Sequence, residues 1–124
     1  MRHANGATGV DHVVALTDDL ARTLAALEAA GLEVCRKAEP PAVPAPMAFL
    51  RLGELILEVV EADRHGLWGL VAVAPELDGL GELVGAPRDA VQPGRRIATV
   101  RREAGLPVAL AFMTPRAPKQ PPPA

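Results

Sequence analysis

Residues 10–32 read V-D-H-V-V-A-L-T-D-D-L-A-R-T-L-A-A-L-E-A-A-G-L, and this stretch decides the fold. Its first part has the two-residue period of a strand. Val10, His12, Val14 and Leu16 share one face, and Asp11, Val13 and Ala15 share the other. Both faces are mostly apolar, so the strand must be covered on both sides. The period changes at Thr17-Asp18-Asp19. Leu20, Leu24 and Leu27 then fall at helical spacing and make one stripe for burial. Thr17 or Asp18 is the expected cap, and Asp18 and Asp19 suit the positive end of the helix. Gly31 is the expected stop.

Working outward, residues 67–86 repeat the theme: L-W-G-L-V-A-V-A-P-E-L-D-G-L-G-E-L-V-G-A. An apolar strand leads to Pro75, a good first helical residue. Leu77, Leu80 and Val84 form the stripe of a predicted second helix, and Gly85 stops it. That helix is a turn shorter than the first, and Gly79 and Gly81 weaken it by ~1 kcal/mol each. Leu20 and Leu77 stand at equivalent places, so the copies are offset by the interval between positions 20 and 77. His12 of the first copy is then matched by Gly69 of the second. Trp68 alternates with Gly69 and is expected to face its own helix as core.

The remaining segments complete two modules of one pattern. Residues 32–37 read as a strand in which Cys35 is a small buried hydrophobe. Residues 39–46 hold four prolines and form a loop. Residues 47–52 and 55–61 are strands about a Gly53-Glu54 turn. Residues 86–94 form a loop or an irregular strand. Residues 95–102 and 107–114 are the last strands, joined near Ala104-Gly105. Residues 1–8 are expected to fray, and residues 116–124 form a flexible, proline-rich tail. The order is β-α-β-β-β, twice. The expected fold is α+β. Two βαβββ modules, about 9–61 and 67–115 within one domain 1–124, form curved, mostly antiparallel sheets around a cavity. The helices lie on the convex side.

Composition narrows the function classes. Hydrophobic residues make up 49% of the 124, which marks a globular chain rather than a disordered one. A net charge of −2 without a basic stripe argues against nucleic acid as partner. The densest basic run, Arg95, Arg96, Arg101 and Arg102, reads as solvated strand edges and ends. A single cysteine excludes an intrachain disulfide and suits a reducing cytoplasm. No apolar run approaches the ~20 residues of a membrane span. Open sheet edges point to a homodimer.

One residue breaks the pattern. Glu58 sits in the apolar strand L-I-L-E-V-V-E, where a carboxylate costs several kcal/mol unless it is paired or ligating. By alternation, His12 and Glu58 both face away from the helix. Neighbouring strands could bring imidazole and carboxylate together, either around a divalent ion or as a hydrogen-bonded pair. Glu61 and His65 are the nearest additional donors in sequence, although His65 and His3 read as surface residues.

The module order, with G-V-D-H-V-V-A-L-T-D-D-L at residues 9–20, M-A-F-L-R-L-G-E-L-I-L-E-V-V-E at 47–61 and P-V-A-L-A-F-M-T-P at 107–115, resembles the vicinal oxygen chelate superfamily. That group includes glyoxalases, extradiol dioxygenases, methylmalonyl-CoA epimerases and bleomycin-binding proteins. The resemblance implies a metal held by a residue from the first and last strand of each module. Those positions are His12 and Glu58 in module one, and Gly69 and Ala111 in module two. His12 and Glu58 would then be the catalytic pair and the ligands of Zn, Mn, Fe or Ni. Gly69, Ala111, Met113 and Arg51 would meet the bound molecule. Gly and Ala cannot coordinate, so two protein ligands remain where a catalytic zinc keeps three. The implied function is binding of a small oxygenated metabolite, with metal-assisted lyase or isomerase chemistry. The other reading is a metal-free protein that sequesters a small molecule or an antibiotic.

Overall fold

The computed structural model describes residues 3–39 and 45–116. Most of the proline-rich loop expected at 39–46 and of the tail expected at 116–124 lies outside the described residues, as do residues 1 and 2. The elements are β1 (Gly9–Thr17), α1 (Leu20–Ala29), β2 (Val34–Ala38), β3 (Met47–Leu52), β4 (Leu55–Glu61), β5 (Gly66–Val73), β6 (Arg88–Asp89), β7 (Arg96–Thr99) and β8 (Ala109–Met113). They form one curved eight-stranded sheet in the order β2-β3-β4-β1-β5-β8-β7-β6. The α+β architecture is as expected, but the two predicted sheets are halves of one. β1 and β5 pair antiparallel at the centre and join the modules.

The register displays the duplication directly. His12 pairs with Val71, and Val14 pairs with Gly69. Exchanging the modules turns one pair into the other, as expected for a pseudo-twofold axis between β1 and β5. Each module also has a parallel pairing of its first and last strands, β1 with β4 and β5 with β8. His12 lies opposite Ile56, two residues before Glu58. Gly69 lies opposite Ala109, two residues before Ala111. The four positions therefore correspond in space as the sequence repeat implies.

Helix α1 forms because ten residues of alanine, leucine and other good formers run without glycine until Gly31, which takes φ +97° just past the end. Its cap is Asp19, not Thr17 or Asp18. The Asp19 carboxylate accepts from the Arg22 N–H at 3.0 Å. Thr17 is buried, and its hydroxyl bonds that of Thr23 at 2.7 Å instead. Glu61 of β4 accepts the Leu20 N–H at 3.0 Å, so this carboxylate is spent on the helix start. Leu20 and Leu24 bury against Ala48, Leu50 and Val59, with Leu27 and Leu57 beside them. At ~1.5–3 kcal/mol per large apolar side chain, this cluster is the main local stabilisation of module one.

The predicted second helix does not form. Gly79 at φ +77° and Gly81 at φ +107° put two left-handed residues within three positions, and no α-helix continues through them. The stripe still packs inward, with Leu77 buried and Leu80 and Val84 partly buried. Leu77 packs with Ala74 and Ala98, and Leu80, Val84 and Phe112 lie against them. Burial was encoded by apolar spacing, whereas helicity was vetoed by the backbone. Two other expectations are also corrected. Cys35 is exposed on edge strand β2. Trp68 is 50% exposed rather than core. The register passes from Val14↔Gly69 to Ala15↔Leu67 and omits Trp68, so simple alternation fails there. Among the described residues, no helix is long and apolar enough to cross a membrane.

Gly69 is glycine for a packing reason. A Cβ there would stand 2.5 Å from the Ala109 carbonyl oxygen and 2.9 Å from the Ala109 Cβ. Gly69→Ala is expected to lose about 1–3 kcal/mol in urea unfolding through this overlap. Gly9→Ala, where a Cβ meets nothing within 4 Å, is the matched control and should be near neutral or mildly stabilising.

Candidate functional site

The sheet brings His12 and Glu58 together as the sequence implies. Val14 and Glu58 are register partners on β1 and β4, and His12 follows on the same face. The Nε2 of His12 lies 3.8 Å from a Glu58 carboxylate oxygen. This is beyond a hydrogen bond but within ion-pair reach when the imidazole is charged. Both side chains are largely withdrawn from water, at 13% and 20% exposure.

Sequence reasoning missed the partner that fixes His12. The β1–β5 register moves from Val10↔Ala72 directly to His12↔Val71, leaving Asp11 as an extra residue. Such a bulge breaks strict alternation and can turn adjacent side chains toward each other. The Asp11 carboxylate accepts from His12 Nδ1 at 2.8 Å. It also accepts from Arg95 Nη2 at 2.9 Å, and Arg116 Nε stands 3.4 Å away. Arg95, expected at a solvated edge, is instead only 5% exposed, and Asp11 is 6% exposed. Arg95 Nε further donates to the Thr114 carbonyl at 2.9 Å. Its Nη1 is buried with no hydrogen-bond partner among the described residues. Asp11 in an apolar strand carried the same warning as Glu58. Nothing local in the sequence marked Arg95.

Electrostatics give the two carboxylates opposite characters. Burial alone would raise the Asp11 pKa, but hydrogen bonds from Arg95 and His12 and the charge of Arg95 outweigh it. The result is a pKa of about 2. Asp11 is thus ionised and acceptor-only at neutral pH, so the proton between it and His12 sits on Nδ1. In the neutral ring, Nε2 then offers a lone pair toward Glu58. Glu58 moves the other way. Burial raises its pKa, and the charges of His12 and Arg36 only partly offset this. The Arg36 guanidinium lies over the Phe49 ring at 4.6 Å, beside Glu58 in the strand register. The line Arg95–Asp11–His12–Glu58 therefore runs from module two to module one.

The remaining sequence-predicted positions are distributed as follows. Arg51 is exposed on β3 opposite Ile56, two register steps from the Phe49–Glu58 pair. Ala111 and Met113 are buried and pack with Val71, Ala90 and Ile97. Gly69 presses on Ala109. His65 is a surface residue paired with Asp18 at 3.2 Å, and His3 is exposed. A large cleft of about 580 Å³ opens at the end of β1, lined by residues including Leu16 and Trp68 but neither His12 nor Glu58.

These residues do not fit the metal centre that the resemblance implies. Of the four corresponding positions, one supplies an imidazole nitrogen and one a carboxylate. Gly69 and Ala111 supply none. Among the described residues, no group of three or more His, Cys, Asp and Glu side chains could hold an ion. Glu61, the nearest extra carboxylate, is committed to Leu20.

The Asp11 network has a signed pH signature. A carboxyl depressed from 3.8 to about 2 contributes stability that is present above pH 4 and lost as pH falls toward 2. The difference amounts to about 2 kcal/mol. Acid titration of unfolding free energy should show this loss. Asp11→Asn should flatten it and cost about 3–5 kcal/mol at pH 7, because Arg95 is left buried and unpaired.

No protein-family model matches the sequence, and no curated protein matches it. Solved structures do. Methylmalonyl-CoA epimerase from Mycobacterium tuberculosis superposes with a TM-score of 0.73 at 17% identity, covering 96% of this chain and 95% of that one. A Streptomyces coelicolor methylmalonyl-CoA epimerase variant in complex with 2-nitronate-propionyl-CoA gives 0.66 at 19% identity, over 90% and 99% of the chains. A hypothetical protein from Bacillus halodurans C-125 gives 0.68 at 14% identity, over 90% and 97%. The chain thus shares the fold of these solved structures, methylmalonyl-CoA epimerases among them.

Proposed function

We propose that this chain binds a small oxygenated metabolite beside Glu58 and His12 and moves a proton on it without a metal, in an isomerase-type reaction. The observation that carries this reading is the Asp11–His12–Glu58 line. A carboxyl of raised pKa is a better base than an ordinary one once ionised, and a better acid when protonated. Glu58 would take a proton from a carbon next to a carbonyl. His12 Nε2, aimed by Asp11, would hold or relay that proton within the pair. The apolar strand around Glu58 limits water, which strengthens electrostatic interactions inside the site. Arg51 would meet a carboxylate or carbonyl of the ligand, and Gly69, Ala111 and Met113 would form the apolar wall on the module-two side. The structural neighbours include methylmalonyl-CoA epimerase in complex with methylmalonyl-CoA, a ligand with such an acidic carbon.

Two other readings remain distinct. One is a metal-free protein that only sequesters its ligand, an antibiotic included. A Zn, Mn, Fe or Ni ion held by His12 and Glu58 with water would restore metal-assisted chemistry. Exposed Cys35 fits a reducing cytoplasm, and the open edges at β2 and β6 favour a homodimer.

Solvent deuterium exchange separates these readings. A panel of short acyl thioesters and 2-oxo or 2-methyl acids is incubated with the protein in D2O and followed by NMR. Exchange at the acidic carbon should fall about 100-fold or more in Glu58→Gln, with ligand-induced thermal stabilisation retained. Stabilisation without exchange would establish sequestration instead. Stoichiometric metal in elemental analysis would establish the metal reading.

The raised pKa of Glu58 also fixes a stability trend. A carboxyl whose folded pKa lies above its ordinary 4.5 favours folding most below that value, and the contribution is lost as pH rises through the folded pKa. Glu58→Gln should therefore have a higher Tm than the parent at neutral pH, and the gap should close in acid. Activity should rise with pH across the same window, since the base form is the ionised one.

A further inference from the structure

The cleft of about 580 Å³ is not used by the acid–base pair. It lies where β1 ends and β5 and β8 begin. Leu16 lines it, two residues beyond the Glu58 register position, or about 7 Å along the strand. Its size falls within the ordinary range of ligand pockets. Its chemistry is one-sided. Arg64, Arg101 and Arg102 all line it, and none of its lining residues is acidic. Among the described residues, none of these three guanidiniums makes a side-chain hydrogen bond or ion pair. The chain as a whole carries −2, so the concentration of positive charge here is local. Three like charges around one cavity repel unless an anion sits among them.

The apolar part of the cleft is equally specific. Trp68, Leu67 and Leu106 line it and are each half or more exposed. Trp68 is the residue omitted from the β1–β5 register, and such an irregularity re-aims a side chain. A half-exposed indole beside guanidiniums offers a stacking surface next to a phosphate-binding fork.

We propose that this cleft binds an anionic ligand of the nucleoside diphosphate class. Arg64, Arg101 and Arg102 take the phosphates, and Trp68 stacks on the base. The proposal stands on the cleft alone and does not depend on proton transfer at Glu58.

Trp68 is the sole tryptophan, so its fluorescence reports on this site directly. ADP, inorganic pyrophosphate and adenosine are each titrated into the full chain, with calorimetry in parallel. ADP should give a saturable change in Trp68 emission, and its affinity should fall as salt is raised. Arg101→Ala/Arg102→Ala should weaken ADP about tenfold or more. Trp68→Leu should keep pyrophosphate binding by calorimetry and lose the preference for ADP over pyrophosphate. No saturable signal up to about 5 mM ADP would overturn the proposal, since this is weaker than a nucleotide site of this kind would be. ADP affinity unchanged in the double arginine variant, or adenosine binding as tightly as ADP, would overturn the phosphate assignment. Pyrophosphate binding as tightly as ADP in the parent would overturn the stacking assignment.

Discussion

Everything in this molecule hangs on the antiparallel pairing of β1 with β5. Each module brings a first strand that is apolar on both faces and cannot be left at an edge. Pairing them removes two edges, fuses two half-sheets into one and sets the approximate twofold relation between the copies. The pairing is also where the structure departs from regularity. At Asp11 and again at Trp68 the register skips a residue. The first irregularity brings Asp11 to His12 and Arg95. The second exposes the indole.

The modules are equal in topology and unequal in content. Module one has a capped helix, a packed core and the His12–Glu58 pair. Module two keeps the strands and the inward-packing stripe but replaces the helix with turns and the two polar positions with Gly69 and Ala111. The asymmetry has a physical logic. Gly69 lets β8 approach β5 closely, because a side chain there would collide with Ala109. A ligating residue at that position would require β8 to move. What module two supplies instead is Arg95, which crosses to module one and holds Asp11 ionised. Asp11 in turn fixes the imidazole. The second copy supports chemistry that the first copy carries.

Much of this was readable from the sequence where the signal is local. Strands β1, β3 and β4 follow the alternation of their residues, and α1 follows the Leu20, Leu24 and Leu27 spacing and the Gly31 stop. Glu58 was legible as a carboxylate in an apolar strand, and its meeting with His12 followed from shared parity on neighbouring strands. Readings failed where a backbone effect overrode the pattern. Leu77, Leu80 and Val84 have helical spacing, but Gly79 and Gly81 adopt conformations that no α-helix tolerates. Cys35 alternates like a core residue but lies on an edge strand, and position in the sheet is not a local property.

The sequence by itself determined the duplicated module, the succession of elements along module one and the candidacy of His12 and Glu58. These depend on periodicity and residue type over short windows. Only the tertiary structure decided that the modules form one sheet, that Arg95 is buried against Asp11 and that three arginines share a cleft with Trp68. Asp11 and Arg95 are 84 positions apart. A contact of that separation depends on how two strands register, and a one-residue slip at a bulge changes which side chains meet. Composition and spacing constrain each strand, but the register between strands is set by the packing of the whole sheet.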